Sequence, residues 1–317
     1  MIEARWPAVM ALPLMPAERI MLGVTVALLG MGLVLVGVRG YAIDWPSYLA
    51  LIMVGGAFIG LGLFYRISNR SNEIATTLIG TGAYAQFSAV ATAFNYLLLP
   101  IWRTPIDPAL AAIDAAFGFH WPEMLEFAAR WPLLTEATRY AYMSSIFQFA
   151  AIVLLLGLGG RTSELQLFMV ATTLASLATV GFWALLPSLG TTTLYAIAPE
   201  IELQVQPLLG TDYGQNMLRL AASGPSLITP KDIVGLISAP SFHTVMALLA
   251  VHSVRNVRWA FWPLLAVNIL VLIGAIIHGA HHLVDVAGGV VTTVLAVALA
   301  RTLLVPVQPV APAMAAR

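Results

Sequence analysis

The chain has 317 residues, of which 60% are hydrophobic and only 9% charged, with a mean hydropathy of +0.88; soluble domains carry about 25% charged residues, so an ordinary water-soluble domain is excluded. Fifteen basic residues balance fifteen acidic ones, which leaves no basic surface for a nucleic-acid backbone, and no nucleic-acid partner is expected. The lack of cysteine removes disulfides, thiolate nucleophiles and the usual structural zinc sites.

A membrane-spanning helix needs roughly 20 mostly apolar residues, and about eight segments come near that length. The first fifteen residues hold Glu3, Arg5, Pro7 and Pro13 and read as a retained interfacial lead-in. Helices are expected over 20–38, 48–65 and 74–99, the third ended by Pro100. Over 103–134 Pro, Asp and Trp are spaced among short apolar runs, the pattern of an interfacial cap of half-helices. Further helices are expected over 138–158 and 167–186, separated by a turn with Gly159, Gly160 and Arg161. A long polar loop follows over 187–240, carrying Glu200, Glu202, Asp212, Arg219, Lys231 and Asp232, and loops of this length are commonly functional. The last three helices are expected over 242–257, 259–277 and 283–304, before a flexible tail over 306–317. The fold class is all-α, a polytopic membrane protein.

Counting Lys and Arg on alternate sides gives an orientation. With Met1 inside, Arg5, Arg19, Arg66, Arg70, Arg161, Arg255, Arg258, Arg301 and Arg317 fall on the inner side, about nine against about six outside. The outer six are Arg39, Arg103, Arg130, Arg139, Arg219 and Lys231. Both termini are therefore expected in the cytoplasm, with the residues around His243 and His281 facing the outer side.

Ionisable residues within apolar segments are costly and point to function. Five of the six histidines lie between His243 and His282. In Pro240, Ser241, Phe242, His243 and Thr244, Pro and Ser open a helix, and the free N–H groups of its first turn attract an anion such as phosphate. In HGAHHLVDVAGG, His281 and Asp285 are four apart and would share a helical face. A carboxylate there holds one imidazole nitrogen and leaves the other free to attack. One helix inward and one outward separate the two motifs, which returns them to the same membrane face. His243 can then protonate a leaving oxygen while His281 attacks phosphorus. The group His278, His281, His282 and Asp285 also has spacings that suit a metal, but no Glu general base stands beside it; no metal and no cofactor is expected. His278 and His282 read as supporting residues, and Tyr142, Gln148 and Asn95 as interhelical hydrogen bonders.

PSFHT followed by HHLVD resembles the second and third motifs of the type 2 phosphatidic acid phosphatase superfamily. The nearest likeness is to the branch containing inositol phosphorylceramide synthases and their bacterial relatives, whose third motif commonly has Tyr where this chain has His282. IDPALAAIDAAFGFHW and RYAYMSSIFQF also look like upstream segments of bacterial members. The resemblance implies a six-helix catalytic core over 71–305 preceded by an addition, 1–70, of the lead-in and two helices. It implies that His281 is the nucleophile of a phosphohistidine intermediate, Asp285 its orienting group and His243 the acid. It further implies that Ser241 and helix-start amides hold phosphate oxygens. The superfamily's Arg six residues before the nucleophile is replaced by Ala275, and no Lys, six residues, Arg, Pro motif is found. Lys231, Arg219 and Arg139 are the basic residues near the outer face that stand as phosphate-binding candidates.

A lipid-phosphate phosphatase, with lipid phosphate or phospholipid as substrate and a bacterial inner membrane as its home, is the leading expectation. A phosphotransferase that hands the phosphoryl-containing group to a small alcohol acceptor uses the same residues. A transporter with proton-carrying His and Asp is the reading from a different class.

Overall fold

The computed structural model describes residues 13–231 and 235–304; the lead-in through residue 12, Asp232 and the expected tail over 306–317 lie outside the described residues. The helices are α1 (Pro16–Arg39), α2 (Trp45–Ile67), α3 (Asn72–Leu97), α4 (Asp107–Ala116), α5 (Trp121–Ala129), α6 (Pro132–Leu158), α7 (Thr162–Leu185), α8 (Pro199–Val205), α9 (Thr211–Ser223), α10 (Phe242–Ser253), α11 (Arg258–Ile277) and α12 (Leu283–Leu303). Two-residue strands, Ala42–Ile43 and Leu227–Ile228, pair in parallel and tie the long loop to the start of α2.

Every expected span is helical, but among the described residues six helices are long and apolar enough to cross a membrane: α1, α2, α6, α7, α11 and α12. These mark an integral membrane protein. The other two expected spans depart for different reasons. Helix α3 has 26 residues, yet Thr76, Thr77, Gln86 and Asn95 dilute its apolar character. Helix α10 has 12 residues, about 18 Å of helix, because the chain leaves helical geometry at Val254 rather than near Val257. Helix α6 starts six residues before the expected 138, with Pro132 at its first turn, where a missing N–H costs nothing.

The main core joins α1 to the later helices. Met21 and Leu28 of α1 pack in one cluster with Phe87 of α3, Phe149 of α6, Phe168 of α7, Val245 of α10 and Ala296 of α12. A buried ion pair ties α1 to α2: Arg66 donates to both carboxylate oxygens of Glu18, at 2.6 and 2.9 Å. A charge in this setting persists only with its partner.

Small residues set the helix approaches, as is usual in membranes. A Cβ placed on Gly62 of α2 would lie 2.9 Å from the Ala75 carbonyl oxygen of α3. On α12, a Cβ at Gly289 would lie 2.6 Å from both the Ser241 carbonyl oxygen and Thr244 Cβ, so α12 meets the start of α10 backbone to side chain. The Gly288 and Gly289 pair thus serves close packing, and it sets the distance between the two histidine-bearing segments. Gly289→Val should force α10 and α12 apart at a cost of about 1–3 kcal/mol, lowering the melting temperature of the detergent-solubilised protein. Gly30→Ala, which meets nothing within 4 Å, is the control; equal melting temperatures for the two variants would contradict the close approach.

Candidate active site

Two helix starts build the site. Ser241 is the N-cap of α10; its hydroxyl is buried and accepts the Thr244 N–H at 3.3 Å. His243 therefore sits in the first turn. Helix α12 begins after His282, and Asp285, its third residue, reaches back so that Oδ2 accepts the His282 N–H at 2.9 Å. The Ser241 N–H donates to the Asp285 carbonyl at 3.0 Å, which joins the two starts directly.

His281 thus precedes α12 and does not share a helical face with Asp285. The pair meets because the carboxylate caps the helix and turns toward the segment before it. His281 Nδ1 lies 3.5 Å from Asp285 Oδ2, long for a direct hydrogen bond. Ser238 fills the gap: its hydroxyl donates to Asp285 Oδ2 at 2.6 Å and lies 3.5 Å from His281 Nδ1. His281 and Asp285 are both buried. The rings of His243 and His281 are 6.2 Å apart at 61°. Tyr142 of α6 stacks on His243 with ring centroids 4.0 Å apart, a contact the sequence had assigned to helix bonding in general. Gly279 allows this, since a Cβ there would lie 2.8 Å from the tyrosine hydroxyl. A cavity of about 30 Å³ opens between the imidazoles, bounded also by Tyr142, Tyr213, Gly190 and Ser238.

The basic candidates lie elsewhere. Arg139 donates to the carbonyls of Val205 and Gln206 at 2.9 and 2.6 Å and pairs with Glu136 at 3.1 Å, securing the end of α8. Arg219 is exposed and donates to Asn216. Lys231 is exposed on the loop beyond the strand Leu227–Ile228. None of the three lines the histidine cavity. Of the supporting histidines, His278 bonds Thr135 and Thr138 of α6 through Nε2, and burial holds its pKa below the ordinary imidazole value.

His282 is enclosed by two carboxylates that sequence reasoning left inside the cap. Its Nε2 lies 3.4 Å from Asp107 and its Nδ1 3.7 Å from Asp114. Asp107 also accepts N–H groups from Leu189 and Gly190 and the Ser188 hydroxyl, while Asp114 accepts the N–H groups of Leu283 and Val284 at the start of α12. One buried cluster therefore holds both the wall of the cavity at Gly190 and the helix that carries Asp285. The available signal was two Asp seven apart in an apolar segment, which places them on one helical face.

Burial alone would lower the His282 pKa, but the bond to Asp107 and the charges of Asp285, Asp107 and Asp114 raise it above the ordinary value. A raised folded-state pKa means that the charged imidazole contributes its full stabilisation below the unfolded value of about 6.5, and that this is lost as pH rises through the folded value. The melting temperature should accordingly fall on the alkaline side of that window, and His282→Gln should flatten the fall. A variant with the wild-type pH dependence would show that titration of His282 does not set it.

A family model of the PAP2 superfamily matches residues 108–299, more than half of the chain. No curated protein and no solved structure matches it. The matched stretch runs from α4 to α12 and takes in His243, His281, Asp285 and Asp114, so the chain belongs to the PAP2 superfamily.

Proposed function

We propose that this protein is a lipid-phosphate phosphatase that works through a phosphohistidine on His281, at the outer face of the membrane. The observation that carries it is the pair of imidazoles 6.2 Å apart across one small cavity, with Asp285 and Ser238 behind only one of them. That asymmetry divides the labour. Ser238 and Asp285 face Nδ1 of His281 and leave Nε2 toward the cavity, the arrangement an attacking imidazole needs.

Burial and the neighbouring His281 push the His243 pKa down to about 3, so its proton comes from the acidic oxygen of the incoming phosphate monoester. In the first step Nε2 of His281 bonds to phosphorus as the bond to the lipid oxygen breaks, and that oxygen takes this proton from His243. In the second, His243 accepts a proton from water as the water oxygen bonds to phosphorus. The P–N bond then breaks, His281 returns to its starting state and inorganic phosphate leaves. Stacking against Tyr142 holds the His243 ring in register for both transfers. The unpaired N–H groups of the first turn of α10 supply oriented dipoles for the phosphate oxygens, and Ser241 keeps that turn in place. The excess of Lys and Arg on the opposite side supports the outer placement. PSFHT and HHLVD resemble the motifs of the inositol phosphorylceramide synthase branch, and we place the chain beside that branch with water as acceptor.

Phosphate release from phosphatidic acid should fall to background in His281→Ala. Loss of a general acid–base group costs roughly 10²–10⁴ in rate, so His243→Ala should lie in that range, and Asp285→Asn should lower kcat with little change in KM. Each is measured by phosphate release in mixed micelles after confirming an unchanged melting temperature. Undiminished turnover in His281→Ala would sink the mechanism. Including an alcohol acceptor should leave inorganic phosphate as the main product; a new phospholipid in its place would make the protein a transferase.

A further inference from the structure

A second cavity, of about 80 Å³, lies at the same end of the bundle, bounded by Arg39, Ile101, Trp102, Arg103, Trp183 and Pro187 among others. It sits where three long helices stop: α1 ends at Arg39, α3 at Leu97 and α7 at Leu185. The ends of helices of this length lie at the depth of lipid headgroups. Arg66, Arg139 and Arg161 each pair with a glutamate, whereas among the described residues neither Arg39 nor Arg103 forms an ion pair. Two guanidinium groups without a carboxylate partner thus line one cavity, an arrangement that favours an anion.

Both are held for that task without being used up. Arg39 is anchored by one N–H, which Nη1 donates to the Leu99 carbonyl at 2.6 Å. The Arg103 guanidinium rests 4.2 Å from the centre of the Trp102 ring, which orients it while leaving its edge donors free. Planar forks of this kind bind phosphate with two parallel bonds. The cavity floor is apolar, with Trp183 buried and bonded through its indole N–H to the Ser188 carbonyl. Val34 and Val38, just before Arg39, are exposed toward acyl-chain depth. Cationic rim, apolar floor and lipid-facing flank together match an amphiphile with an anionic head.

We propose that this cavity binds the phosphate of an anionic phospholipid from the surrounding bilayer, at a site separate from the histidine cavity. The two are neighbours through one short stretch of chain. Pro187 bounds the arginine cavity and bonds Ile106 at 2.8 Å, while Leu189 and Gly190, held by Asp107, bound the histidine cavity.

The test is native mass spectrometry of the full chain in detergent, with phosphatidylglycerol or phosphatidylcholine added at equal concentration and with inorganic phosphate as a competitor. The wild type should retain phosphatidylglycerol over phosphatidylcholine by roughly tenfold or more, as expected for two charge-assisted contacts. Arg39→Gln combined with Arg103→Gln should lose that preference, while Arg39→Lys combined with Arg103→Lys keeps part of it. His281→Ala should bind as the wild type does, which separates this site from the catalytic reading above. An unchanged preference in the double Gln variant would overturn the proposal. So would loss of the preference in His281→Ala, or displacement of the lipid by millimolar inorganic phosphate, which would make the ligand a free anion.

Discussion

The Asp285 carboxylate is the interaction on which the site depends. One oxygen accepts the N–H of His282 and the hydroxyl of Ser238 and faces Nδ1 of His281. The same residue's carbonyl accepts the N–H of Ser241. A helix cap, an imidazole orienter and a link between two helices are thus one residue. A buried carboxylate in apolar surroundings is tolerated only where donors reach it, and each donor to Oδ2 fixes a segment of the candidate site. The geometry between the two histidines follows in part from the need to satisfy this oxygen.

Behind it, Asp107, His282 and Asp114 repeat the device one layer deeper. Two carboxylates sharing a buried imidazole would be untenable alone, but backbone N–H groups of Leu189, Gly190, Leu283 and Val284 share the load. The short helix α4, which delivers both acids, is therefore part of the framework of the candidate site rather than a lid resting on it. The family match begins at residue 108, within α4, and so takes in Asp114 but not Asp107.

Much of this was legible in the sequence. Apolar run lengths located all the long helices, and Pro240 with Ser241 marked the start of α10, because a cap is a local preference. The rarity of ionisable groups in apolar surroundings singled out His243, His281 and Asp285, which the fold brings to one cavity. Register and relief were harder to read. Spacing of four suggested a shared helical face for His281 and Asp285, yet α12 starts two residues after His281, and a cap brings the carboxylate to the imidazole instead. Ser238 and Tyr142 reach the site through tertiary packing, which no local pattern records. Location along the chain made Arg139, Arg219 and Lys231 plausible phosphate holders, but Arg139 is engaged by the carbonyls of Val205 and Gln206, Arg219 is exposed on α9 and Lys231 is exposed on the following loop. Arg39 and Arg103 entered only the count of outer-side charges, because 64 residues separate them in sequence and only the convergence of three helix ends brings them together.

The account rests on covalent catalysis by one named nitrogen, and that can be seen directly. Purified protein mixed with phosphatidic acid and quenched in base within milliseconds, then digested and sequenced by mass spectrometry, should carry a base-stable, acid-labile phosphoryl group on His281. The modification should be absent from His281→Ala and accumulate in His243→Ala when a substrate with a good leaving group is supplied. A phosphoryl group on another residue, or full turnover with no labelled protein at any time, would contradict it.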